Sequence, residues 1–555
     1  ITTNTATLTL GKEDGNVSIT NPEIIGSRYG INNEGNGTFN FYDGIIKGKT
    51  AINGNLSAKE KGYEVITTEE NEIETAILGN LPVAKIGEKE YYTFQEAFDA
   101  CPSDGTETTV EVLRNCTTDM ANIIEENKNI VLDIQSYKIV SGIENLFTNN
   151  GKFKIVDSIG NGRIISAKGT ILKNEETGNF AINNITMQMT GSSAIDETIE
   201  NKGMLEVTGG VIISDGLKNK CINNIEQGTV KITGGTVSAY TYAIYNTSSN
   251  KIEIEGGTVQ ATYYYEGYSA IYNNTENGVV EIKGGLVTNQ GKAIKNKKGT
   301  IKVTGGEIRT TQGDTRYSEC GIYNNGKVII EDGKVAALYR GSGIQNEGGT
   351  IEITGGTVSA PEWYNSIINR GTLEISGGTI KSNQKGIYNN STLKMTGGTV
   401  EVQEPNYTAL ECGGGTATIE GGTIKYNNTG NTNYNTAAII ITTNTATLTL
   451  GKEDGNVSTT NPEIIGSTYG ISNEGNGQFN FYDGIVKGIL TAISGNITRV
   501  EDKYTLVGGT EDNYQTTTLG FLATDTMTAC VNGTYYSTLQ EAINSCIDNK
   551  ETYII

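Results

Sequence analysis

Between Asn201 and Ile424 the apolar and polar positions return in a fixed order. An alternating triplet such as Val230-Lys231-Ile232 or Ile351-Glu352-Ile353 stands just ahead of a double glycine, once Asp332-Gly333, and this block occurs ten times. The second glycines lie 20 to 28 residues apart, from Gly210 to Gly422. Two residues after each comes an aliphatic (Ile212, Val237, Val259 and so on to Ile424). An asparagine stands 9 to 12 residues ahead of each glycine: Asn201, Asn224, Asn246, Asn273, Asn296, Asn324, Asn346, Asn369 and Asn389, with Cys412 in the last coil. Two residues before each of these is another aliphatic, among them Ile222, Ile244, Ile271, Ile294, Ile322 and Leu410. Alternation with period two is a strand with one buried and one wet face. Each coil is therefore predicted to hold three short strands separated by tight turns, glycine supplying positive φ and asparagine local hydrogen bonds. A repeat of this length is a solenoid. Its strands pair in parallel, and parallel crossovers are right-handed. The fold expected is all-β, a right-handed parallel β-helix with aliphatic columns and a structural asparagine ladder inside.

A larger repeat lies over the small one. Residues 1–48 recur at 441–488 with five differences, and Thr93-Phe94-Gln95-Glu96-Ala97 returns as Thr538-Leu539-Gln540-Glu541-Ala542. Thr93 with Glu96, and Thr538 with Glu541, form capping boxes. Behind the first, Phe94, Ala97, Phe98 and Cys101 share one helical face. A capping helix near 93–101 is thus expected at the start of each unit. The division that follows is 1–60, terminal coils of a preceding unit; 61–90, a Glu-rich connector with short irregular strands; 91–500, a complete unit; 501–535, a second connector; 536–555, the helix and first strand of the next. The opening Ile1-Thr2-Thr3-Asn4 reads as the inside of a coil, so the chain is expected to be a window on a longer tandem array.

Composition narrows the setting. Only 36% of the 555 residues are hydrophobic and 72 are glycine, which suits the thin core of a solenoid. A net charge of −21 disfavours nucleic acid and anionic lipid as partners. No apolar run approaches the roughly 18 residues of a membrane span.

Tyr92-Thr93-Phe94-Gln95-Glu96-Ala97, followed by coils of Gly-Ile-Tyr-Asn and Ile-Thr-Gly-Gly-Thr-Val, resembles the pectate-lyase-like β-helix superfamily and, more closely, the giant repetitive surface proteins of anaerobic Gram-positive bacteria. The resemblance implies an extracellular or cell-surface location. It does not fix an activity, since that superfamily includes lyases, hydrolases, tailspikes and non-catalytic adhesins. Its lyases would want clustered Asp for Ca²⁺ with an Arg or Lys base, and its hydrolases grouped Asp and usually a His. This chain has no His, and between 201 and 440 its only Asp are Asp215, Asp314 and Asp332, in different coils. Paired catalytic carboxylates stand roughly 5–10 Å apart. The three read as turn residues, and no catalytic, metal or cofactor site is predicted. Gly11-Lys12-Glu13-Asp14-Gly15-Asn16, repeated at 451–456, reads as an acidic turn. Outward positions such as Lys231, Glu253, Glu281, Lys302, Glu352, Glu374 and Lys394 read as a solvated ion-pair column.

Coil length varies mainly between the glycine pair and the next asparagine. In that arc lie Tyr263, Tyr264, Tyr265 and Tyr268, then Arg316 and Tyr317, then Trp363 and Tyr364. They are the candidate contacts for glycans or for neighbouring fibres, against the simpler reading that Tyr suits strands and their edges. Cys101 with Cys116, and Cys530 with Cys546, are close enough in sequence to form disulfides. The function expected is a non-catalytic shaft of an extracellular tandem-repeat adhesin or filament, joined end to end with further copies of its own unit. The alternative is a carbohydrate-binding or carbohydrate-cleaving module using the Tyr-rich arc.

Overall fold

A computed structural model describes the chain except residues 15, 36, 61–62, 192–196, 218, 264–266, 312–318, 362–363, 405–406, 427–435, 523–528, 532–533, 537 and 547–555. The chain divides into two compact units, Ile1–Leu205 and Glu206–Ile555. Both are parallel β-solenoids, with about 19 turns in all.

In the second unit the predicted columns are in register. Ile222, Ile244, Ile271, Ile294, Ile322, Ile344, Ile367, Ile387 and Leu410 are successive parallel partners. All nine are at most 1% exposed, so they form one continuous column. Val237, Val259, Val287, Ile308, Val335, Val358, Ile380, Val400 and Ile424 make another along the strand after the glycines. Burying such a side chain stabilises by roughly 1.5–3 kcal/mol. The core therefore grows in proportion to the number of coils.

The asparagines run beside the aliphatic column, wholly buried. Each side-chain Nδ2 donates to the Oδ1 of the next: Asn224 to Asn246 at 2.8 Å, then Asn273 at 2.8, Asn296 at 3.0, Asn324 at 2.8, Asn346 at 2.9, Asn369 at 2.9 and Asn389 at 2.8 Å. The same Nδ2 donates to a turn carbonyl, as Asn224 does to Gly228 at 2.9 Å and Asn346 to Gly349 at 2.9 Å. One amide group per coil thus ties a turn to its own coil and to the next. The ladder ends where Cys412 replaces Asn. There Asn389 donates to the carbonyls of Ser391 and Thr416.

The first unit holds the same elements in a more aromatic version. Phe147, Leu172 and Ile199 are in register, and Asn149 donates to Asn174 at 2.8 Å, which donates to Asn201 at 2.7 Å. Helix α1, Phe94–Ala100, carries the capping box and buries Phe94, Ala97 and Phe98. The Phe98 ring meets Phe147 at 6.2 Å and Phe153 at 5.8 Å. Helix α2, Leu539–Asn544, repeats the capping box. Its Leu539 and Ile543 are 52% and 47% exposed, where their counterparts Phe94 and Phe98 are 2% and 0%.

Two buried aspartates of this unit brace turns one coil apart. Asp133 accepts the N–H groups of Gln135 and Ser158, and Asp157 those of Ser136 and Ile159. Burial alone would push the Asp157 carboxyl up. The backbone donors of Gly162, Ser136, Gly160 and Ile159 outweigh it and hold the group below the usual carboxylate range. A lowered folded value adds stability above the unfolded pKa of about 4, and that stability is lost as pH falls through the folded value. Below about pH 4 the amides of this unit are expected to lose exchange protection, with a smaller pH dependence in Asp157→Asn. Equal acid sensitivity in variant and wild type would refute the assignment.

The connector differs from the expectation of short irregular strands. Glu64–Glu70 and Ile73–Gly79 form a regular antiparallel hairpin, and the second strand lies antiparallel on Ile45–Gly48 of the last coil. Its two-residue turn puts Asn71 and Glu72 at φ of 53° and 61°, the conformation of the turn that follows strand twist best. The second connector repeats it: Tyr504–Glu511 pairs with Tyr514–Phe521, which lies antiparallel on Ile485–Gly488. Asp512 and Asn513 have φ of 48° and 70°. The Glu74 carboxylate, part of the Glu-rich stretch, accepts the Ala51 N–H at 2.7 Å.

Candidate functional site

The Tyr-rich arc is built by two successive coils. Thr236–Ala239 and Thr258–Ala261 are parallel neighbours; Tyr240 follows the first, with Tyr242 opening the next strand, and Tyr263 and Tyr268 follow the second. Tyr240 and Tyr263 stack with centroids 4.8 Å apart. Tyr245 and Tyr272, in register beside the ladder, stack at 4.9 Å. Tyr242 sits among the others, edge-on to Tyr245 at 5.3 Å, Tyr268 at 5.1 Å and Tyr272 at 5.7 Å, and its hydroxyl donates to the Gly267 carbonyl at 3.1 Å. Tyr263 and Tyr268 close the group at 5.4 Å. The Lys220 ammonium lies over the Tyr245 ring at 4.5 Å and that of Lys295 over Tyr272 at 5.8 Å.

All six rings are half-buried and packed on one another. Burial first, then the neighbouring Tyr268, Tyr245 and Tyr272, push the Tyr242 phenol up, so it stays neutral and donates. The arc therefore presents ring edges and hydroxyls with two ammonium groups at its border, instead of a row of open faces. Of the predicted contacts, Tyr263 and Tyr268 belong to this cluster. Tyr364 is half-buried immediately before the strand Asn365–Asn369. Tyr264, Tyr265, Arg316, Tyr317 and Trp363 lie outside the described residues. Sequence reasoning passed over Tyr240 and Tyr242, the latter touching three other rings. Their signal was present: Tyr240-Thr241-Tyr242 follows its strand as Thr262-Tyr263 follows the next.

The charged column forms ion pairs between strands as well as along them. Glu253 and Glu281 are direct neighbours, and Lys251 reaches them at 3.1 and 2.5 Å while Lys283 also engages Glu253. Lys302 pairs with Glu331 at 3.0 Å, Lys327 with Glu352 at 2.7 Å and Lys394 with Glu420 at 3.1 Å. Such partly exposed pairs contribute about 0–1 kcal/mol each. Of the aspartates weighed for catalysis, Asp215 and Asp332 are exposed, and Asp332 accepts the Gly333 N–H at 2.7 Å. Asp314 lies outside the described residues. In the acidic turns, Asp14 accepts the Asn16 N–H at 3.1 Å and Asp454 that of Asn456 at 3.0 Å. Among the described residues no group of three or more His, Cys, Asp or Glu could hold a metal ion, and no helix is long and apolar enough to cross a membrane. The first unit has a cavity of about 320 Å³ between its terminal coils and its helix end, lined by Tyr42, Glu60, Tyr63, Tyr92, Phe94 and Cys116 among others.

Neither proposed disulfide is formed. The Cys101 thiol is buried and donates to the Ala97 carbonyl at 3.3 Å, while Cys116 lines that cavity as a separate buried thiol. Cys546 donates to the Ala542 carbonyl at 3.3 Å, and Cys530 is half-buried in Ala529–Val531. Proximity in sequence did not aim these side chains at each other. Burial pushes the thiols of Cys116, Cys320 and Cys412 up to about 12. Iodoacetamide at pH 8 is expected to label Cys530 and Cys546 on the native chain and to reach those three only after denaturation. Peptide mass mapping checks this, and native labelling of Cys412 would contradict the buried ladder end.

The fold and these surfaces define a tandem-repeat parallel β-solenoid with a packed tyrosine arc. Compared with known proteins, the chain matches no family profile, no curated protein and no solved structure.

Proposed function

We propose that this chain is part of the non-catalytic shaft of an extracellular surface adhesin or filament. In this reading it is a right-handed β-helix of the pectate-lyase-like kind, each unit opening with a capping helix and joining further copies of itself end to end. The observation that carries it is the uninterrupted asparagine ladder and aliphatic column from Asn224 to Asn389. In each of these coils a wholly buried asparagine ties one coil to the next, and the outward positions carry screened ion pairs. The near-identical segments 1–48 and 441–488 add selection for length. Burial of Phe94 and Phe98 against the first coils supports the capping role.

The second reading, carbohydrate binding or cleavage, is favoured by one feature: the tyrosine cluster that holds the Tyr240–Tyr263 stack and, elsewhere in it, Lys220 over the Tyr245 ring. A glycan array and a lyase and hydrolase assay on the full chain separate the two. The shaft reading expects no retained glycan and no turnover. Glycan retention abolished by Tyr263→Ala would establish the second reading, and turnover of any polysaccharide would overturn the first.

A further inference from the structure

The hairpin strand Tyr504–Glu511 has an open edge. Among the described residues it pairs only with Tyr514–Phe521. Seven of its eight residues are exposed, and Leu506 and Val507, which point to opposite faces, are 44% and 46% exposed. The residues flanking a two-residue turn exchange both hydrogen bonds, so Glu511, Gly509, Val507 and Thr505 face the inner strand. The N–H and C=O groups of Leu506, Gly508 and Thr510 face outward. Exposed edges are ordinarily guarded by charge, proline or a bulge. The equivalent strand Glu64–Glu70 carries Glu64, Glu69 and Glu70. In Tyr504–Glu511 the sole charge is the terminal Glu511, and there is no proline.

We propose that this edge pairs antiparallel with the same edge of a second copy of the chain, giving a two-fold lateral contact through a four-stranded ribbon. One register matches both the hydrogen bonding and the chemistry. With Val507 opposite Val507 at a pair without backbone bonds, where side chains approach closest, Leu506 and Gly508 exchange bonds across the two-fold axis. Lys503 of one chain then stands opposite Glu511 of the other, at both ends of the ribbon. Lys503 is exposed, and Glu511 lies 3.2 Å from Lys487 on its own chain and is 53% exposed, which leaves it accessible to a second cation. The Glu64–Glu70 edge, brought against itself, would gather six carboxylates, so the contact belongs to the second hairpin. One strand pair buries far less than the roughly 1,200 Å² of a stable interface, so the association is weak and concentration-dependent.

Sedimentation equilibrium of the full chain from micromolar to millimolar concentration tests this. A monomer–dimer equilibrium is expected. Leu506→Pro deletes an outward donor without touching the hairpin's own bonds, and Gly508→Lys places a charge beside its partner where an added Cβ meets only the Thr516 carbonyl at 3.9 Å. Each is expected to weaken dimerisation at least tenfold, with unchanged circular dichroism. Val65→Pro, at the equivalent outward position of the guarded hairpin, is expected to leave it unaltered. A wild type that stays monomeric throughout, or a dimer indifferent to both edge variants, would overturn the proposal. Dimer loss on Val65→Pro would move the contact to the other hairpin and overturn it equally.

Discussion

Asn324→Leu should open the solenoid locally, by about 2–4 kcal/mol as read from native-state hydrogen exchange of the coils on either side. Asn324 accepts from the wholly buried Asn296 at 2.8 Å and donates to the wholly buried Asn346 at 2.9 Å and to the part-buried Gly326 carbonyl at 3.0 Å. Leucine keeps the branched heavy-atom skeleton and removes every one of these bonds, leaving buried amides above and below with a lost partner. Desolvated, unmatched polar groups are what make the change costly, each about 1–3 kcal/mol. The comparison that isolates the ladder is Asn389→Leu. Asn389 accepts from Asn369, but its donors reach only backbone carbonyls because Cys412 follows. It should cost less than Asn324→Leu. Equal effects at the two sites would mean that the asparagines act singly, through their turns, and not as a connected column.

Gly356→Ala should be comparably damaging for a different reason. Gly356 has φ of +68°, and a Cβ there would lie 2.8 Å from the Gly333 carbonyl oxygen and 2.9 Å from the Asp332 carbonyl carbon. The glycine turns are stacked like the strands, so the obstruction is backbone of the preceding coil, which cannot rotate away. Left-handed strain of about 1–2 kcal/mol and the clash together are expected to cost about 2–4 kcal/mol. Gly455 separates the two contributions. Its φ is +78° and an added Cβ meets nothing within 4 Å. Gly455→Ala should therefore show the strain alone, about 1–2 kcal/mol. Exchange protection that falls equally for both would show that turn stacking contributes nothing.

The interior was legible because a solenoid writes each structural role at a fixed interval. Ile244, Ile271 and Ile294 could be aligned by counting, and so could the asparagines beside them. The hairpins were not legible for the converse reason. Glu64–Glu70 mixes Thr and Glu with few apolar residues, and its turn is Asn71-Glu72, without the glycine that usually marks a tight hairpin. Nothing in one sequence says that such a segment will lie antiparallel on the preceding coil. The tyrosine arc was half legible. Counting found Tyr263 and Tyr268 because their arc is long, and missed Tyr242 because its own arc is short. That rings from two coils would pack on each other is a consequence of register, visible only once the coils are stacked. The cysteine pairs failed on direction, since spacing along the chain says nothing of where a thiol points.

A hairpin paired antiparallel with the last coil also changes how load would travel. Parallel strands hand their bonds from turn to turn like a zip, but Ile45–Gly48 meets a strand running the other way, and its row of bonds closes there. Tearing that begins in one repeat would meet a firebreak at its boundary instead of running on. Pulled from both ends, such a molecule should yield in separate sawtooth events, one per repeat, and rewind each repeat on its own.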